Sequence, residues 1–463
     1  MASIVSTGIG SGLDIAGIVQ QLVAAEGQPV ESRIGQQEAR AQAKLSAFGS
    51  LKSALSDFRD KLDVMQSLDK FLSRTASSGN EDYFTVSAGT NALPASYSLE
   101  VVQVAQSQKL TSGAFADADT VVGTGTLTVG VGTSTMDLTI DATNNTLAGI
   151  RDAINASTEN PGVAATIVNA DSGSYLIVTG EATGAANTIT ITQAGGDGGL
   201  SAIEYDPGSG LNSMTESISP QDAMIRIDGL DVMSDSNVFT GAVQGVTITV
   251  AQATGGATES LVVENDDQAA RALVSDFVES YNQLVSTFDA LTAYDAENEQ
   301  AAPLIGDSTI RGIKDQIRRE LSSAVEDLDA PFSMLADVGI EVQLDGKLSI
   351  NDERLDATIA DDFVKFGQLF STTDGFATRL YSLTDGFLES DGIIESRTQG
   401  LTSTIEGFSD DRAALNDRLA SLETRLLRQF NALDSLLAQL TSTSNFLTQQ
   451  LSSLPGAGNS GSN

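Results

Sequence analysis

The sequence predicts an α+β protein of several domains, in which terminal coiled-coil-like helices and a helical bundle surround a central β-rich insert of two domains. Three features lead to this fold class: 463 residues exceed what one hydrophobic core holds, apolar residues recur every seven positions at both ends, and β-branched residues alternate between them. The predicted domains are 1–75 with 405–463 as a helical leg, 76–82 with 265–404 as a helical bundle bearing a β-hairpin, 83–120 with 220–264 as a β-rich domain, and 121–219 as an inserted outer β-rich domain.

The N-terminal zone is predicted to hold two helices. Apolar residues from Ile15 to Val23 at three- and four-residue spacing indicate a short amphipathic helix, which ends where Gly27 and Pro29 interrupt the pattern. A longer helix follows, with two adjacent rows that repeat every seven residues, as is typical of a coiled-coil seam. The rows are Ile34, Ala41, Phe48, Leu55 and Leu62, and Leu51, Phe58, Met65 and Leu72.

The stretch from about residue 82 to residue 264 is predicted to be β-rich. Alternating, β-branched segments bounded by Gly, Asn and Asp indicate strands, and helical spacing over 147–154 indicates one small helix. The strand segments are Tyr97–Val101, Leu138–Ile140, Leu176–Val178, Thr188–Ile191 and Val246–Val250. Glycine-rich polar stretches at Val121–Gly125 and Asp206–Ser217 are the predicted linkers that divide this zone into two domains.

Helical periodicity returns after Asp266 and predicts a bundle. Two apolar stripes carry the pattern: Leu273, Phe277, Tyr281, Leu284 and Phe288, and Ile310, Ile313, Ile317, Leu321 and Val325. Further along, Ile340–Leu344 and Lys347–Ile350 alternate apolar and polar residues on either side of Asp345-Gly346, which predicts a β-hairpin.

The C-terminal zone carries the clearest repeat in the sequence, and its apolar flank changes sides along the helix, which predicts more than one neighbouring helix. The row is Leu419, Leu426, Leu433, Leu440, Leu447 and Leu454. We assign self-assembly and docking to this row together with Phe48, Leu55 and Leu62, because long apolar stripes at opposite chain ends favour contacts with other subunits. Ordinary packing inside the chain is the alternative. Asp410 and Asp411 are interpreted as the N-terminal signal of this helix.

The composition argues against several classes of function. Lys and Arg number 25 against 62 Asp and Glu, and the net charge of −37 disfavours nucleic acid and anionic membrane surfaces as partners. Neither Cys nor His occurs, so no thiolate nucleophile, imidazole base, or sulfur- or His-ligated metal site is possible. The sequence shows no signal-peptide pattern and no apolar run of membrane-spanning length, so membrane insertion is not expected.

Three weaker patterns are better explained without a ligand. The segment Gly8-Ile9-Gly10-Ser11-Gly12 follows no predicted strand and lacks the lysine of a phosphate-binding loop. Acidic residues near Asp117 and Asp222 do not reproduce a calcium loop, and adjacent carboxylates such as Asp361-Asp362 do not face each other on a helix as a glycosidase pair would need to. We therefore expect no catalytic residue, no cofactor and no metal, and no enzyme activity.

The opening residues carry a family resemblance. Thr7-Gly8-Ile9-Gly10-Ser11-Gly12-Leu13-Asp14-Ile15, followed by Ile18–Val23, resembles the N-terminal signature of flagellar filament cap proteins, the hook-associated protein 2 family. The signature residues are Gly8, Gly10, Gly12 and Asp14. Further segments similar to the family are Glu100–Gln106, Leu304–Ser308, Val338–Leu355 and Arg425–Leu447. The resemblance covers both ends and the helical middle, and the β-rich zone matches only in general character.

The resemblance implies a structural cap at the distal tip of a bacterial flagellar filament. Such a cap is a ring of copies, typically a pentamer, that retains exported flagellin and promotes its folding and insertion as the filament grows. The resemblance also implies contacts with hook–filament junction proteins and secretion by the flagellar type III export apparatus. A cytoplasmic export chaperone is implied as well, with Leu440, Phe446 and Leu447 as its candidate site.

Two other classes stay open from the sequence. One is another flagellar axial protein, either flagellin or a hook–filament junction protein, and the other is a phage-tail or adhesin-type fibre protein. The signature from Gly8 to Asp14 and the hairpin at Asp345-Gly346 favour the cap. The ring size and a role of the outer surface in cell adhesion are left open.

Overall fold

The computed structural model of the chain describes residues 12–326 and 328–452. Its helices are α1 (Ile15–Met65), α2 (Leu68–Phe71), α3 (Leu147–Ala156), α4 (Asp267–Thr292), α5 (Ser308–Ser322), α6 (Asp352–Asp361), α7 (Phe363–Ser371), α8 (Phe376–Leu388) and α9 (Ile393–Ser452). Its strands are β1 (Arg74–Ser78), β2 (Phe84–Ala88), β3 (Ala95–Gln103), β4 (Lys109–Thr111), β5 (Gly125–Val131), β6 (Ser134–Ile140), β7 (Val163–Ala170), β8 (Gly173–Gly180), β9 (Ile189–Ala194), β10 (Tyr205–Asp206), β11 (Leu211–Asn212), β12 (Thr215–Ile218), β13 (Ala223–Ile227), β14 (Leu230–Ser234), β15 (Val238–Val243), β16 (Val246–Val250), β17 (Glu259–Asn265), β18 (Tyr294–Asp295), β19 (Gln300–Ala301), β20 (Ile340–Val342) and β21 (Leu348–Ile350).

The chain divides into two compact units, and the first is helical. It comprises the residues up to Leu68, Ala272–Thr358 and the residues from Lys365 onward. An aromatic cluster lies in its core: the Phe58 ring centroid is 6.0 Å from those of Phe277 and Tyr281, and Phe370 lies 6.2 Å from Phe277 and 5.7 Å from Phe366. Both apolar stripes predicted for the bundle contribute to the buried residues of this unit, which confirms the periodicity.

Helix α1 is continuous, which corrects the prediction of two N-terminal helices. Pro29 lies inside it, although an interior proline costs a helix about 3 kcal/mol through a lost hydrogen bond and a clash with a carbonyl. Packing against α9 offsets that cost. At Gly27 the two helices approach so closely that a Cβ atom would lie 2.7 Å from Cδ1 of Leu419. Tertiary packing therefore keeps the helix continuous through Gly27 and Pro29, two residues that normally end a helix.

Helix α9 is also continuous, and it corrects two further predictions. It runs from Ile393 to Ser452, so the predicted domain boundary at residues 404 and 405 falls within one helix. Asp410 and Asp411 lie exposed in its middle and do not start it. Gly407 precedes this pair, but a glycine inside a helix costs only about 1 kcal/mol, and α9 continues through it.

The predicted hairpin is present in the first unit. Strands β20 and β21 pair antiparallel from Ile340 with Ile350 to Val342 with Leu348, and Gly346 takes the left-handed conformation that its turn requires, with φ of +83°. The hairpin is held by α4, because the amide group of Asn282 bonds both backbone groups of Leu348 at 2.7 and 2.9 Å, and the Tyr281 hydroxyl donates to the Gly346 carbonyl at 3.1 Å.

The second unit, Asp69–Arg271 with Ile359–Val364, contains strands β1 to β17 and two separate hydrophobic clusters. The first cluster lies between the sheet β1-β17-β3-β13-β14 and the sheet β15-β16-β2, and includes Phe84, Leu99 and Ile248. The second lies between the sheets β11-β10-β9-β5-β6 and β12-β4-β8-β7, against α3. The five predicted strand segments fall in β3, β6, β8, β9 and β16, and the predicted small helix is α3, which confirms these assignments.

The strands place two boundaries differently from the predicted domains. Strand β1 pairs with β17 throughout, so residues 76–78 belong to a β-sheet rather than to the helical bundle. Strand β4 pairs with β8 and β12, and Leu110 is buried in the second cluster, so that cluster begins before the predicted start at Val121. Both segments are short, and neither carries a repeating apolar pattern long enough to assign it to a sheet from the sequence.

Candidate assembly surface

Helices α1 and α9 form an antiparallel pair held by charged side chains. Glu26 pairs with Arg418 at 2.6 Å, Glu31 with Arg412 at 2.8 Å, and Lys52 with Glu395 at 3.1 Å. As the residue number increases along α1, the number of the paired residue on α9 decreases, so the two helices run antiparallel. Each pair is solvent-exposed and contributes little stability by itself, but together they select one alignment of the two helices.

Arg412 is the centre of this alignment. Its guanidinium binds the carboxylates of Glu38 at 2.7 Å and Glu31 at 2.8 Å, two residues that lie seven positions apart on one face of α1. The hydrogen bonds that Arg412 donates to Glu38 and, next in size, to Glu31 raise the pKa of Arg412 above its ordinary value. The guanidinium therefore stays charged and holds two turns of α1 at once.

The structure separates the predicted assembly residues into covered and uncovered ones. Phe48, Leu55 and Leu62 are fully buried inside the helical unit, which corrects their assignment to self-assembly and docking. Their apolar surface is already covered by the chain itself, so a partner subunit gains nothing from them. For these three residues, the alternative of ordinary core packing describes the structure.

The leucine row of α9 changes character along the helix. Leu419 and Leu426 are half-buried, whereas Leu433, Leu440 and Leu447 are 51%, 57% and 54% exposed. The register of the ion pairs brings the start of α1 level with about residue 430, so α9 loses this neighbour beyond that point. Leu454 lies outside the described residues.

The end of α9 thus presents an apolar face without cover among the described residues. Leu436 and Leu451 add to it, exposed by 57% and 68%, whereas Phe446, exposed by 59%, lies at least about 100° around the helix from the leucine row. At a rise of 1.5 Å per residue, the segment from Leu433 to Ser452 is about 30 Å long. The candidate chaperone residues Leu440, Phe446 and Leu447 all lie in this segment. An uncovered apolar face of this length is typical of a surface that another molecule binds.

The described part of the N-terminal signature starts α1. Gly12 has φ of +71°, and the Asp14 carboxylate caps the helix by accepting from the Gly17 amide at 3.0 Å. A Cβ atom at Gly17 would lie against the Asp14 carboxylate and displace it from this capping position. Gly8 and Gly10 lie outside the described residues.

One residue that the sequence reasoning missed attaches α9 to the bundle. The Arg397 guanidinium pairs with the nearly buried Asp307 carboxylate at 2.7 Å and lies 5.8 Å from the centroid of the Phe48 ring. Asp307 also caps α5 by accepting from the Thr309 amide at 2.8 Å. Burial alone would raise the pKa of Asp307, but the Thr309 amide and Arg397 outweigh it and lower that pKa. The only sequence signal was the position of Asp307 just before an apolar helical stripe.

Across 12–326 and 328–452, no group of three or more carboxylates is placed to hold a metal ion. Asp117 and Asp222, which were weighed as calcium ligands, accept from the backbone amides of Asp119 and Ala185. In the same part of the chain, no helix combines the length and the hydrophobicity needed to cross a bilayer.

Family models match two parts of the chain. The model described as flagellar hook-associated protein 2 N-terminus matches residues 11–108, and the one described as flagellar hook-associated protein 2 C-terminus matches residues 220–442. The stretch between these matches, residues 109–219, contains all buried residues of the second β cluster, from Leu110 to Met214.

Relatives match along nearly the whole length. The chain is 35% identical over 468 residues to the A-type flagellar hook-associated protein 2 of Pseudomonas aeruginosa, covering 97% of each. It is 34% identical over 467 residues to flagellar hook-associated protein 2 of Escherichia coli strain K12, covering 97% of this chain and 98% of that protein. The crystal structure of domains D1-D2-D3 of the flagellar cap protein FliD from Escherichia coli is similar with a TM-score of 0.66 at 31% identity, covering 77% of this chain and 99% of that one.

Proposed function

This chain belongs to the flagellar hook-associated protein 2 family, and from that premise we propose that it is the structural cap at the distal tip of a bacterial flagellar filament. The full-length identity and the similarity to a solved flagellar cap protein support this role. The alternative of flagellin or a junction protein is not favoured by these relatives. The chain works as a structural protein and not as an enzyme.

The uncovered apolar face of α9 is the main structural support for a docking mechanism. An apolar helix end about 30 Å long reaches past its intramolecular partner, as is needed to reach a neighbouring subunit or the filament below. In this proposal the copies form a ring, the α9 ends dock on the filament, and exported flagellin is retained beneath the ring while it folds and inserts. Leu433, Leu436 and Leu440 are the central docking residues.

The same segment of α9 serves a second partner before export. Leu440, Phe446 and Leu447 are exposed in the free chain, so a cytoplasmic export chaperone that covers them would keep the chain from associating too early. The flagellar type III apparatus would then export the chain, and docking at the filament tip would replace the chaperone. Hook–filament junction proteins are the first docking partners, before flagellin has been added.

Replacement of Leu433 and Leu440 by Asp tests the docking role. Two charges in an apolar interface cost several kcal/mol when they stay unpaired, so the variant should detach from the filament. In a strain that lacks its own cap protein, we expect the wild-type chain to restore filaments and the variant to release flagellin monomers into the medium. The measurements are filament length by electron microscopy and the flagellin and cap protein present in the medium.

Ser435→Asp with Ser442→Asp is the matched control, because both serines are exposed, seven residues apart, and on the opposite side of α9. The control should support normal filaments. Normal filaments from the leucine variant would contradict the docking role. Measuring the exported cap protein separates a loss of docking from a loss of export through the chaperone.

A further inference from the structure

Helix α1 carries a basic stripe, defined by Arg33, Arg40 and Lys44. The spacing of seven and four residues places all three side chains on one face of the helix, and all three are exposed. Within the described part of the chain, none of them makes an ion pair or a side-chain hydrogen bond. Three unpaired cations in a row are unexpected in a chain with a net charge of −37.

Helix α9 carries an acidic stripe, defined by Glu406, Asp410 and Asp417. The spacing of four and seven residues again selects one face, and all three carboxylates are exposed. As with the basic stripe, the structure shows no ion pair or side-chain hydrogen bond for these carboxylates among its described residues. Each stripe spans twelve residues, or eleven steps of about 1.5 Å, which is about 16 Å along its helix.

The two stripes match when the helices run antiparallel. In order of increasing residue number, the basic stripe has steps of seven and then four residues. In order of decreasing residue number, starting from Asp417, the acidic stripe has the same steps. Arg33 then faces Asp417, Arg40 faces Asp410, and Lys44 faces Glu406. The alignment lies close to the register in which α1 and α9 already pair within one chain, where Glu38 meets Arg412.

The stripes do not meet inside one chain. The α1 face buried against α9 includes Gly27 and Ile34, with Glu31 and Glu38 on one flank. Arg33 lies on the other flank, about 100° around the helix from Ile34, where it borders the groove between α1 and α9. On α9 the inward residue is Arg412, and Asp410 lies two positions before it, about 200° around the helix. The acidic stripe is therefore turned away from α1, and the basic stripe lies on a flank of the helix pair, where a neighbouring molecule can reach it.

We propose that the basic stripe of one copy binds the acidic stripe of the next copy in the assembled cap. This inference rests on the proposed function, since it requires several copies side by side. A second copy is the partner that the charges select, because the same chain carries both stripes, with equal spacing and in the right register. When copies stand parallel at one height, α1 of one copy and α9 of its neighbour are antiparallel and level. Such a head-to-tail contact closes into a ring when the rotation between copies allows it.

The stripes supply orientation more than binding strength. Exposed ion pairs are individually weak and are screened by salt, whereas complementary rows of charge suppress wrong alignments and guide encounters. The rest of the surface is acidic, so copies of this chain repel one another except where a basic stripe is presented to an acidic one. The contact thus specifies which flank of one copy meets which flank of the next.

Charge reversal in the purified full-length chain tests the contact. R33E/R40E/K44E should raise the concentration at which half of the copies are assembled by roughly tenfold, measured by sedimentation velocity at low salt. Adding E406K/D410K/D417K to the same chain should restore wild-type assembly, because the complementarity returns with the signs exchanged. R311E/R319E/R425E is the matched control, with the same change in net charge at exposed sites away from the stripe, and it should assemble better than the stripe variant. Equal loss in the control, or no restoration by the six-site exchange, would overturn the proposal.

Cross-linking tests it in the assembled cap on filaments. The chain has no cysteine, so Arg40→Cys copies mixed with Asp410→Cys copies carry the only thiols. A short bismaleimide should join them into covalent dimers, whereas Ala39→Cys copies, exposed on another side of α1, should give at least about tenfold less dimer with Asp410→Cys. Filaments capped by chains that do not cross-link would overturn the stripe contact and leave the cap function intact. Failure of the wild-type chain to cap filaments would overturn the function, while stripe-dependent assembly in solution would still support the contact.

Discussion

At the scale of single residues, Asp307 combines two tasks that other caps in this chain keep apart. Asp14 starts α1 by accepting from the Gly17 amide, whereas Asp307 starts α5 and also binds Arg397 of α9. The pKa of Asp307 lies below its ordinary value of 3.8, so its carboxylate is charged at neutral pH. The attachment of α9 to the bundle thereby acquires a dependence on pH.

Two substitutions of Asp307 separate these tasks. Asp307→Asn keeps a good capping side chain and removes the charge, so we expect a loss of about 1 kcal/mol or less, since Arg397 is half exposed. Asp307→Ala also removes the cap and should lose about 1 kcal/mol more. Urea unfolding at pH 7, followed by circular dichroism, measures both. Equal stability of the two variants would contradict the division into cap and ion pair.

The pH dependence of the same pair has a definite sign. A carboxylate whose pKa is lower in the folded than in the unfolded chain stabilises the fold above its ordinary pKa, and that contribution disappears as pH falls through the folded pKa. The difference between wild type and Asp307→Asn should therefore be present at pH 7 and shrink below pH 3.8. A difference that stays constant from pH 7 to pH 3 would show that the ion pair contributes nothing.

At the scale of elements, α1 and α9 carry the same seven-residue apolar repeat, but the repeat is buried in one helix and exposed in the other. The later part of the α1 row, from Phe48 to Leu62, is core, and the later part of the α9 row, from Leu433 to Leu447, is exposed. A helix end without packing partners opens more readily than one in a core, because little apolar surface holds it closed. The free end of α9 is thus poised to order against a partner.

Hydrogen exchange on the monomeric chain measures this difference. Amides from Leu433 to Ser452 should exchange at least about a hundredfold faster than those from Phe48 to Leu62, and they should become protected on assembly. The amides of α9 before Leu426, which lie beside α1, should fall between these limits. Strong protection of Leu433 to Ser452 in the monomer would show that this face is not free.

At the scale of the whole molecule, the second β cluster behaves as an insertion. Its chain enters and leaves at neighbouring points, because Gln106 and Gln221 exchange backbone hydrogen bonds of 3.0 and 3.2 Å. Its core draws on residues from Leu110 to Met214 and on none of the first cluster. A domain with its own core and adjacent ends is expected to fold alone.

Two fragments decide where this insertion begins. The fragment 106–221 should fold cooperatively by thermal circular dichroism, since it retains β4 and Leu110. The fragment 121–219, which follows the boundary predicted from glycine-rich linkers, lacks β4 and leaves β8 without a partner on that side. It should unfold at least about 10 °C lower or fail to fold, because an exposed strand edge and a truncated core cost several kcal/mol. Equal stability of both fragments would contradict the earlier boundary.

The sequence alone determined the periodic features of this protein. The strands around Tyr97 and Val246, the bundle stripes and the Asp345-Gly346 hairpin were predictable because each is specified by a local pattern of a few residues. The composition determined the acidic surface and the absence of thiol and imidazole chemistry. The signature around Asp14 indicated the family.

Only the tertiary structure decided what covers each stripe. Phe48 and Leu433 belong to rows of identical spacing, yet one is core and the other is exposed, because a repeat shows that a face is apolar and not which surface meets it. Pro29 looked like a helix end, and packing against α9 kept the helix intact. Arg397 reaches Asp307 across ninety positions of sequence, and the stripe of Arg33, Arg40 and Lys44 gains its meaning from α9. Such relations depend on the distance between elements in space, which local sequence patterns do not encode.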